Sequence, residues 1–233
     1  MPLIDPAAVP DEVPVLGLNG SVLFPAGTLP LALHTPEAVS AARAAVSADG
    51  LLAVALRRVP ARDGDAVHRV ATLATVRELL GGAAVRCDVH GLARVELSDL
   101  HSRAEHLSAR VRVLDDATAI APPATPPRDR RLRERLAEDG PDVFPELTLR
   151  EVRRLLSVPD RAQLADLVLA NLPIAAEEKQ RGLAERNVET RLVLASSLVD
   201  SVATHLAERR GLLDEAARAV RLLVWRAWPR RGA

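Results

Sequence analysis

The sequence predicts an α+β protein: a β-rich lobe with one helix, then a helical bundle lobe that ends in a long C-terminal helix. Up to about residue 118, short aliphatic and β-branched runs alternate with turn residues. From residue 128 onward, apolar residues recur at three- and four-residue steps. Between them lies a proline-rich stretch that predicts a stiff connector. We therefore divide the chain into residues 1–118, 119–127 and 128–233.

The composition restricts the class of function. Hydrophobic residues make up 48% of the 233 residues and aromatic residues only 2%, so the core must be mainly aliphatic. The 31 basic and 31 acidic residues balance, so the net charge gives no argument for binding to nucleic acid or to an anionic membrane. The low count of aromatic residues argues against a surface that stacks bases. Because signal-peptide features and membrane-length apolar stretches are missing, we predict a soluble cytoplasmic protein without a transmembrane segment.

The β-rich lobe starts with an unusual stretch around a rare aromatic residue. Residues 21–24 read as a strand, which Pro25 ends because proline cannot donate to a sheet. Ala26 and Gly27 predict a turn, and residues 29–33 a second strand. Since Phe24 is one of only 2 phenylalanines, we predict that it fills the core and supports the fold.

The one helix of this lobe carries start and stop signals. Thr35 is the predicted N-cap, Pro36 the first helical residue and Glu37 lies in the first turn, while Gly50 follows the end.

The remaining strands of this lobe follow from apolar runs and alternation. Gly81-Gly82 predicts a hairpin turn, and Gly91 a bulge or sharp bend. Cys87 lies on the inward row of its strand, where a small buried side chain is expected. The predicted strands are residues 51–56, 69–79, 85–90, the "LARVEL" run after Gly91, and 107–114.

The helical lobe is predicted from periodicity and capping. Arg130 and Glu134 have ion-pair spacing, and Asp160 can cap the helix that carries Leu164, Leu167 and Val168 on one face. A long helix begins near residue 187, with a break or kink expected at Gly211. Its predicted buried side comprises Leu192, Val193, Leu198, Val199, Val202 and Leu206.

The motifs of common catalytic and cofactor sites do not occur. Lys179 is the only lysine and follows no glycine loop, which excludes a P-loop, and no G-x-S-x-G elbow is found. A single cysteine allows neither an intrachain disulfide nor a cysteine zinc site. The stretch "HSRAEH", with His101, Glu105 and His106, does not match zinc-protease spacing, so we interpret it as a turn. We predict no catalytic, cofactor-binding or metal-binding residue, and no cofactor.

The tail is amphipathic and contains both tryptophans. One interpretation is a terminal helix that packs on its own bundle. The other is a segment for a partner helix, self-association or a membrane surface. The candidate partner-binding residues are Leu213, Val220, Leu223, Val224, Trp225 and Trp228.

Several motifs together resemble the Lon protease amino-terminal (substrate-binding) domain family. "VPVLGLNGSVLFPAGTLPLAL" is similar to the family's opening, and "VRCDVHGLARVEL" to a later hairpin, with Gly91 and Arg94 at its glycine and arginine positions. "DRAQLADLVLANLPIAAEEKQRGLAERNVETRLVLASSLV" resembles the helical half, through its L-A-D, K-Q and V-x-x-R-L motifs. The resemblance covers roughly residues 12–208.

The resemblance implies a fold and a role. Twisted strands are expected to form a partly closed barrel before the helical bundle. The role implied is to hold unfolded or tagged polypeptide before an ATP-driven protease receives it. No ATPase or protease motif is present, so we expect either a natural stand-alone protein of this family or a domain cut from a longer chain.

Three hypotheses follow. The first is a non-catalytic polypeptide-binding module in protein quality control, which recognises exposed apolar side chains through shallow contacts and works with an AAA+ protease. The alternative is an adaptor whose Lon-like body is scaffold and whose tail binds a partner or itself. An unrecognised hydrolase is the third, although no nucleophile–base pair is visible.

Overall fold

We describe the chain from a computed structural model, over residues 4–62, 65–81, 85–103, 105–116 and 128–227. A short 3-10 turn, Pro6–Ala8, precedes the first strand. The strands are β1 Glu12–Leu18, β2 Thr28–Leu33, β3 Leu51–Arg62, β4 Asp65–Val67, β5 Val70–Val76, β6 Val85–Arg103 and β7 His106–Val113. The helices are α1 Pro36–Ser47, α2 Arg128–Val143, α3 Leu149–Leu156, α4 Arg161–Asn171, α5 Ala176–Ala184 and α6 Val188–Ala227.

The strands close into a barrel. Strands β1, β7, β6, β5 and β3 are neighbours in that order, and β1 also pairs with β3 to close the ring. The closing pair is parallel, with Val15 opposite Ala53 and Leu18 opposite Leu56, while the other pairs of the ring are antiparallel. Closure satisfies sheet edges that would otherwise be exposed. The predicted α+β class, with barrel lobe, helical lobe and long C-terminal helix, is confirmed.

The first predicted strand is wrong. Residues 21–24 have no regular secondary structure, and the first strand is β1, which comes earlier. The Leu23 carbonyl accepts a hydrogen bond from the Thr72 hydroxyl at 2.6 Å, so a side chain replaces a strand partner. Phe24 is nevertheless only 1% exposed, as predicted.

The bulge predicted at Gly91 is confirmed. Gly91 pairs with Ala74 and Ala93 with Leu73, so Leu92 is an extra residue in β6. The chain around Phe24 lies directly on this bulge: Ala26 N–H donates to the Gly91 carbonyl at 2.9 Å. The bend therefore brings the segment around Phe24 and β6 together.

Helix α1 has the predicted ends. The Thr35 hydroxyl accepts a hydrogen bond from Ala38 N–H, and Pro36 is the first helical residue. Gly50, just beyond the helix, has φ +72°, a conformation that favours glycine. Its N–H donates to the Ala45 carbonyl at 2.8 Å, which completes the helix end.

The helical lobe packs α2 to α5 around the first half of α6. Asp160 caps α4 through Gln163 N–H, as predicted, and Arg130 Nε lies 2.8 Å from Glu134 Oε1. Thr148 and Glu151 form a reciprocal capping box at α3. The core of this lobe includes Leu132, Leu136, Phe144, Leu164, Val168, Leu169, Leu192 and Val199.

The structure contradicts two predictions for α6, a break at Gly211 and the burial of Val193. The helix runs through Gly211 without a break, because a glycine costs a helix only about 1 kcal/mol and does not remove a hydrogen bond. Val193 is 45% exposed because it lies about 100° around the helix from Leu192, outside the stripe that Leu192 and Val199 bury. The predicted connector 119–127, Gly82 of the predicted hairpin turn and Trp228 lie outside the described residues.

Candidate functional site

A cleft lies where the barrel meets the helical lobe. It encloses about 320 Å³. The segment around Phe24, strand β6, the chain after β7 and the amino-terminal half of α4 form its walls. The lining residues are Pro25, Ala26, Leu92, Ala93, Arg94, Leu114, Asp115, Asp116, Asp160, Ala162, Gln163 and Asp166.

Arg94 of β6 crosses the boundary between the lobes at the base of this cleft. Its side chain forms an ion pair and hydrogen bond with Asp166 of α4. Its Nε donates to the Leu183 carbonyl at 2.9 Å, and its Nη1 lies 3.5 Å from Asp116 Oδ1. Arg94 is 5% exposed and Asp166 3%, so both charges are removed from water.

Arg191 of α6 completes the ion network from the other side. Its Nη2 lies 2.9 Å from Asp116 Oδ1, and its Nη1 donates to the Glu185 carbonyl at 2.7 Å. Its Nε lies 3.0 Å from Asp166 Oδ1, without the alignment of a hydrogen bond. Two arginines and two aspartates thus form a cluster of balanced charge, which we call the interlobe ion network. Three of the four side chains are buried, and Asp116 is 24% exposed.

Opposing effects act on the ionisation of Asp166. Burial raises the pKa of its carboxyl above the ordinary value, and the Asp116 charge adds to the rise. The charges of Arg94 and Arg191 and the hydrogen bond from Arg94 oppose it. Such networks cost desolvation energy and become strongly unfavourable when one member is removed.

Further contacts hold the lobes together beside the cleft. Gln180 of α5 donates from Nε2 to the Val70 carbonyl of β5 at 2.9 Å. His68 Nε2 lies 3.3 Å from Glu177 Oε2. Phe24, although it belongs to the barrel half of the chain, is part of the helical lobe's core. The cleft walls are therefore fixed by packing as well as by charge.

Leu213, the one tail candidate whose side chain is described, does not line this cleft. Leu213 is 67% exposed on α6. Residues 220, 223, 224 and 225 belong to the same helix, and Trp228 lies beyond the described chain. Arg210 of α6 contacts α2, with its Nη2 2.5 Å from Asp142 Oδ1.

The structure separates the polar residues considered for chemistry. His101 Nε2 is 3.5 Å from Glu12 Oε1, whereas His106 Nδ1 is 3.1 Å from the Ser40 hydroxyl. Within the described ranges, no group of three His, Cys, Asp or Glu side chains could hold a metal ion. Cys87 is 5% exposed, and burial, with a smaller effect of Asp88, raises the pKa of its thiol.

Sequence reasoning missed the interlobe ion network as a site. Its signal was present, because Arg94, Asp166 and Arg191 stand at the family arginine of "VRCDVHGLARVEL", the aspartate of L-A-D and the arginine of V-x-x-R-L. The first of these motifs, expected as a hairpin, lies within the single strand β6. Separately these motifs identify a family. Only the fold shows that the three side chains meet.

Comparisons with known proteins agree on one family. The model of the "ATP-dependent protease La (LON) substrate-binding domain" matches residues 12–201. "Lon protease 2" of Myxococcus xanthus is 29% identical over 203 residues, which are 85% of this chain and 24% of that protein. "Lon protease" of Escherichia coli (strain K12) is 26% identical over 82% of this chain and 25% of its own length. The matched part of this chain thus corresponds to about a quarter of the length of these relatives.

Solved structures show the same fold. The "N terminal domain of Mycobacterium avium complex Lon protease" superposes with a TM-score of 0.66 at 21% identity, over 81% of this chain and 98% of that one. A "Lon N-terminal domain protein from Xanthomonas campestris" gives 0.56 at 17% identity, over 78% and 94%. Across the part of the chain that is described, no helix is long and apolar enough to span a membrane.

Proposed function

Because this chain belongs to the LON substrate-binding domain family, we propose that it is a non-catalytic module that binds unfolded or tagged polypeptides. The family match over residues 12–201 carries the proposal. The relatives are proteases, and the matched region is about a quarter of each. We propose that an AAA+ protease receives the bound chains.

The cleft between the lobes is the proposed contact surface. Pro25, Leu92 and Leu114 give it apolar walls, and apolar burial contributes about 25 cal/mol per Å². An extended polypeptide can place one side chain in such a cleft, whichever residues flank that side chain in its sequence. Adaptable contacts of this kind suit many clients better than one deep specific pocket.

The test compares one client sequence in two states. Ribonuclease A that has been reduced and carbamidomethylated is unfolded, whereas the native enzyme is folded. Both forms of ribonuclease A carry a fluorescent label, and this protein is titrated into each. We expect the fluorescence anisotropy of the unfolded form to rise and that of the native form to stay unchanged. Equal binding of the two forms would show that the module does not recognise unfolded chains.

A second candidate function is an adaptor that works through the end of α6. It is favoured by the single helix that continues to Ala227 beyond the Arg210–Asp142 contact, and by Leu212 and Leu213, which are 66% and 67% exposed. The proposed contact residues remain Leu213, Val220, Leu223, Val224, Trp225 and Trp228.

Deletion of residues 212–233 tests the adaptor function. We expect the shortened protein to keep its circular dichroism melting behaviour but lose self-association in sedimentation velocity, or lose its partner in co-purification from native cells. The matched control is Glu138→Gln, which changes an exposed residue of α2 and should leave association intact. Unchanged association after the deletion refutes the adaptor function.

A further inference from the structure

We propose that an extended segment of a bound polypeptide pairs, as an added antiparallel strand, with the free edge of β2. This inference rests on the proposed polypeptide-binding function and adds a second contact surface, which takes the main chain of the client. The strands of the barrel ring, β1, β3, β5, β6 and β7, have a strand partner on each side. Within the described ranges β2 pairs with β6 alone, so one edge of β2 is open.

The hydrogen bonds of β6 show which backbone groups of β2 point to this edge. Arg86 of β6 exchanges two backbone hydrogen bonds of 2.9 Å with Leu80, which follows β5. Strand β5 lies at the edge of β6 opposite to β2, so the backbone groups of Arg86 point away from β2. Its partner in β2, Ala32, therefore stands at a non-hydrogen-bonded position of the β2–β6 pair, as do Pro30 and Thr28 earlier in the strand. The backbone groups of these residues face the open edge.

The open edge offers donors and acceptors at the spacing of a strand. Thr28 and Ala32 each present an N–H and a C=O, whereas Pro30 presents only its C=O, because proline has no N–H. All three residues are exposed, and no described residue hydrogen-bonds to these backbone groups. Any extended main chain can complement such a row, so pairing requires no particular client sequence. A folded protein has already paired its own backbone groups, so the edge favours unfolded chains.

The inward face of β2 favours apolar client residues at alternate positions. Leu29 and Leu31 are half-buried and pack against a core cluster of the barrel, as do Ala38 and Val39 of α1. Side chains directly opposite each other on neighbouring strands share one face of the sheet. Client residues opposite Leu29 and Leu31 therefore extend an apolar row, whereas the client residues between them face solvent.

A second copy of this chain is the less suitable occupant. Two β2 edges paired antiparallel about Pro30 would place one proline opposite the other, and this central pair would make no hydrogen bond. A client with any other residue there can donate its N–H to the Pro30 carbonyl. Natural proteins use proline on open edges to prevent the pairing of identical sheets.

The first experiment uses short capped peptides in which valine and threonine alternate. With valines opposite Leu29 and Leu31, the threonine N–H groups point at β2. One peptide is N-methylated at every threonine and a matched peptide at every valine, so both lose the same number of donors. We expect threonine methylation to weaken binding to the full chain at least about tenfold in fluorescence anisotropy, and valine methylation to preserve it. Equal binding of the two methylated peptides overturns the inference.

Amide hydrogen exchange, measured by nuclear magnetic resonance, locates the contact. Without peptide, the amides of Thr28 and Ala32 should exchange rapidly, and the amide of Leu31, which faces β6, should exchange slowly. The unmodified peptide should slow Thr28 and Ala32 and leave Leu31 unchanged. If the two edge amides are already protected without peptide, or if their protection rises with protein concentration alone, another occupant covers the edge and the inference is overturned.

Two substitutions change the donors of the edge in opposite directions. Pro30→Ala adds an N–H, and we expect the unmodified peptide to bind about two- to tenfold more tightly. Ala32→Pro removes an N–H that β6 does not use and should weaken binding by a similar factor. Ala32→Val keeps that N–H and is the matched control. If Ala32→Pro prevents folding, Pro30→Ala decides alone, and unchanged affinity in Pro30→Ala overturns the inference.

Unfolded ribonuclease A separates this inference from the proposed function. Binding that neither slows exchange at Thr28 and Ala32 nor strengthens in Pro30→Ala would overturn the inference and leave the proposed function standing. Failure of unfolded ribonuclease A to bind would overturn the proposed function itself.

Discussion

Arg94 and Asp166 are 72 residues apart in sequence and form a buried ion pair across the two lobes. The pair joins the barrel strand β6 to the helix α4. Arg191 and Asp116 extend it to α6 and to the chain after β7. The same cluster therefore holds the lobes together and forms the base of the cleft.

The first prediction concerns this pair. Asp166→Asn keeps the shape of the side chain but leaves two buried guanidinium groups with one carboxylate between them. We expect it to lower the free energy of unfolding by about 3–5 kcal/mol, measured by urea denaturation. Glu138→Gln, an exposed change, should stay within about 0.5 kcal/mol of the parent. A stable Asp166→Asn protein would mean that the cluster does not join the lobes.

The second prediction concerns the bulge in β6. A Cβ atom at residue 91 would lie 2.3 Å from the Phe24 carbonyl oxygen, which is backbone and cannot rotate away. We expect Gly91→Ala to destabilise the protein by about 1–3 kcal/mol in thermal or urea unfolding. Gly81→Ala is the control, because nothing lies within 4 Å of a Cβ there. Equal stability of the two variants would contradict the close approach.

The third prediction concerns Phe24. Its ring is 1% exposed and packs with the helical core, so Phe24→Ala should create a cavity at the boundary between the lobes. We expect a loss of about 3–5 kcal/mol in urea unfolding, with any loss of client binding following from unfolding. A fully stable Phe24→Ala protein would be evidence against a supporting role.

The fourth prediction concerns pH and Cys87, the 1 cysteine of the chain. Because burial raises the pKa of its thiol, the folded state holds that proton more tightly than the unfolded state. The protonated thiol therefore stabilises the fold fully at pH values below the pKa of the thiol in the unfolded chain. This stabilisation is lost as the pH rises through the pKa of the thiol in the folded protein. We expect the urea midpoint to fall more steeply above about pH 8.5 for the parent than for Cys87→Ala. If the urea midpoints of the parent and Cys87→Ala fell equally steeply with pH, the raised pKa of the Cys87 thiol would be contradicted.

The same thiol reports opening of the barrel. Cys87 should react with a disulfide reagent slowly in the native protein and rapidly in denaturant, since only the exposed thiolate attacks. Cys87→Ser is the control, because without a thiol it should show no labelling in either condition. Rapid labelling of the native protein would show that β6 does not bury this residue.

Local rules predicted much of the fold. The Thr35 and Asp160 caps act on neighbouring backbone groups, so their signals are contained in a few consecutive residues. The alternation of apolar and polar residues in β6 predicted that Cys87 points inward, because this alternation too is contained in a few consecutive residues. The strand predicted at residues 21–24 failed because its apolar residues pack without a strand partner.

The sequence by itself determined the class of the fold, the family and the absence of common catalytic motifs, because these depend on composition, periodicity and ordered motifs. The tertiary structure decided that β1 closes on β3, that Phe24 joins the helical core, and that Arg94, Asp166 and Arg191 meet. Those contacts join residues distant in the chain. Their geometry depends on how strands and helices pack, which no local pattern specifies.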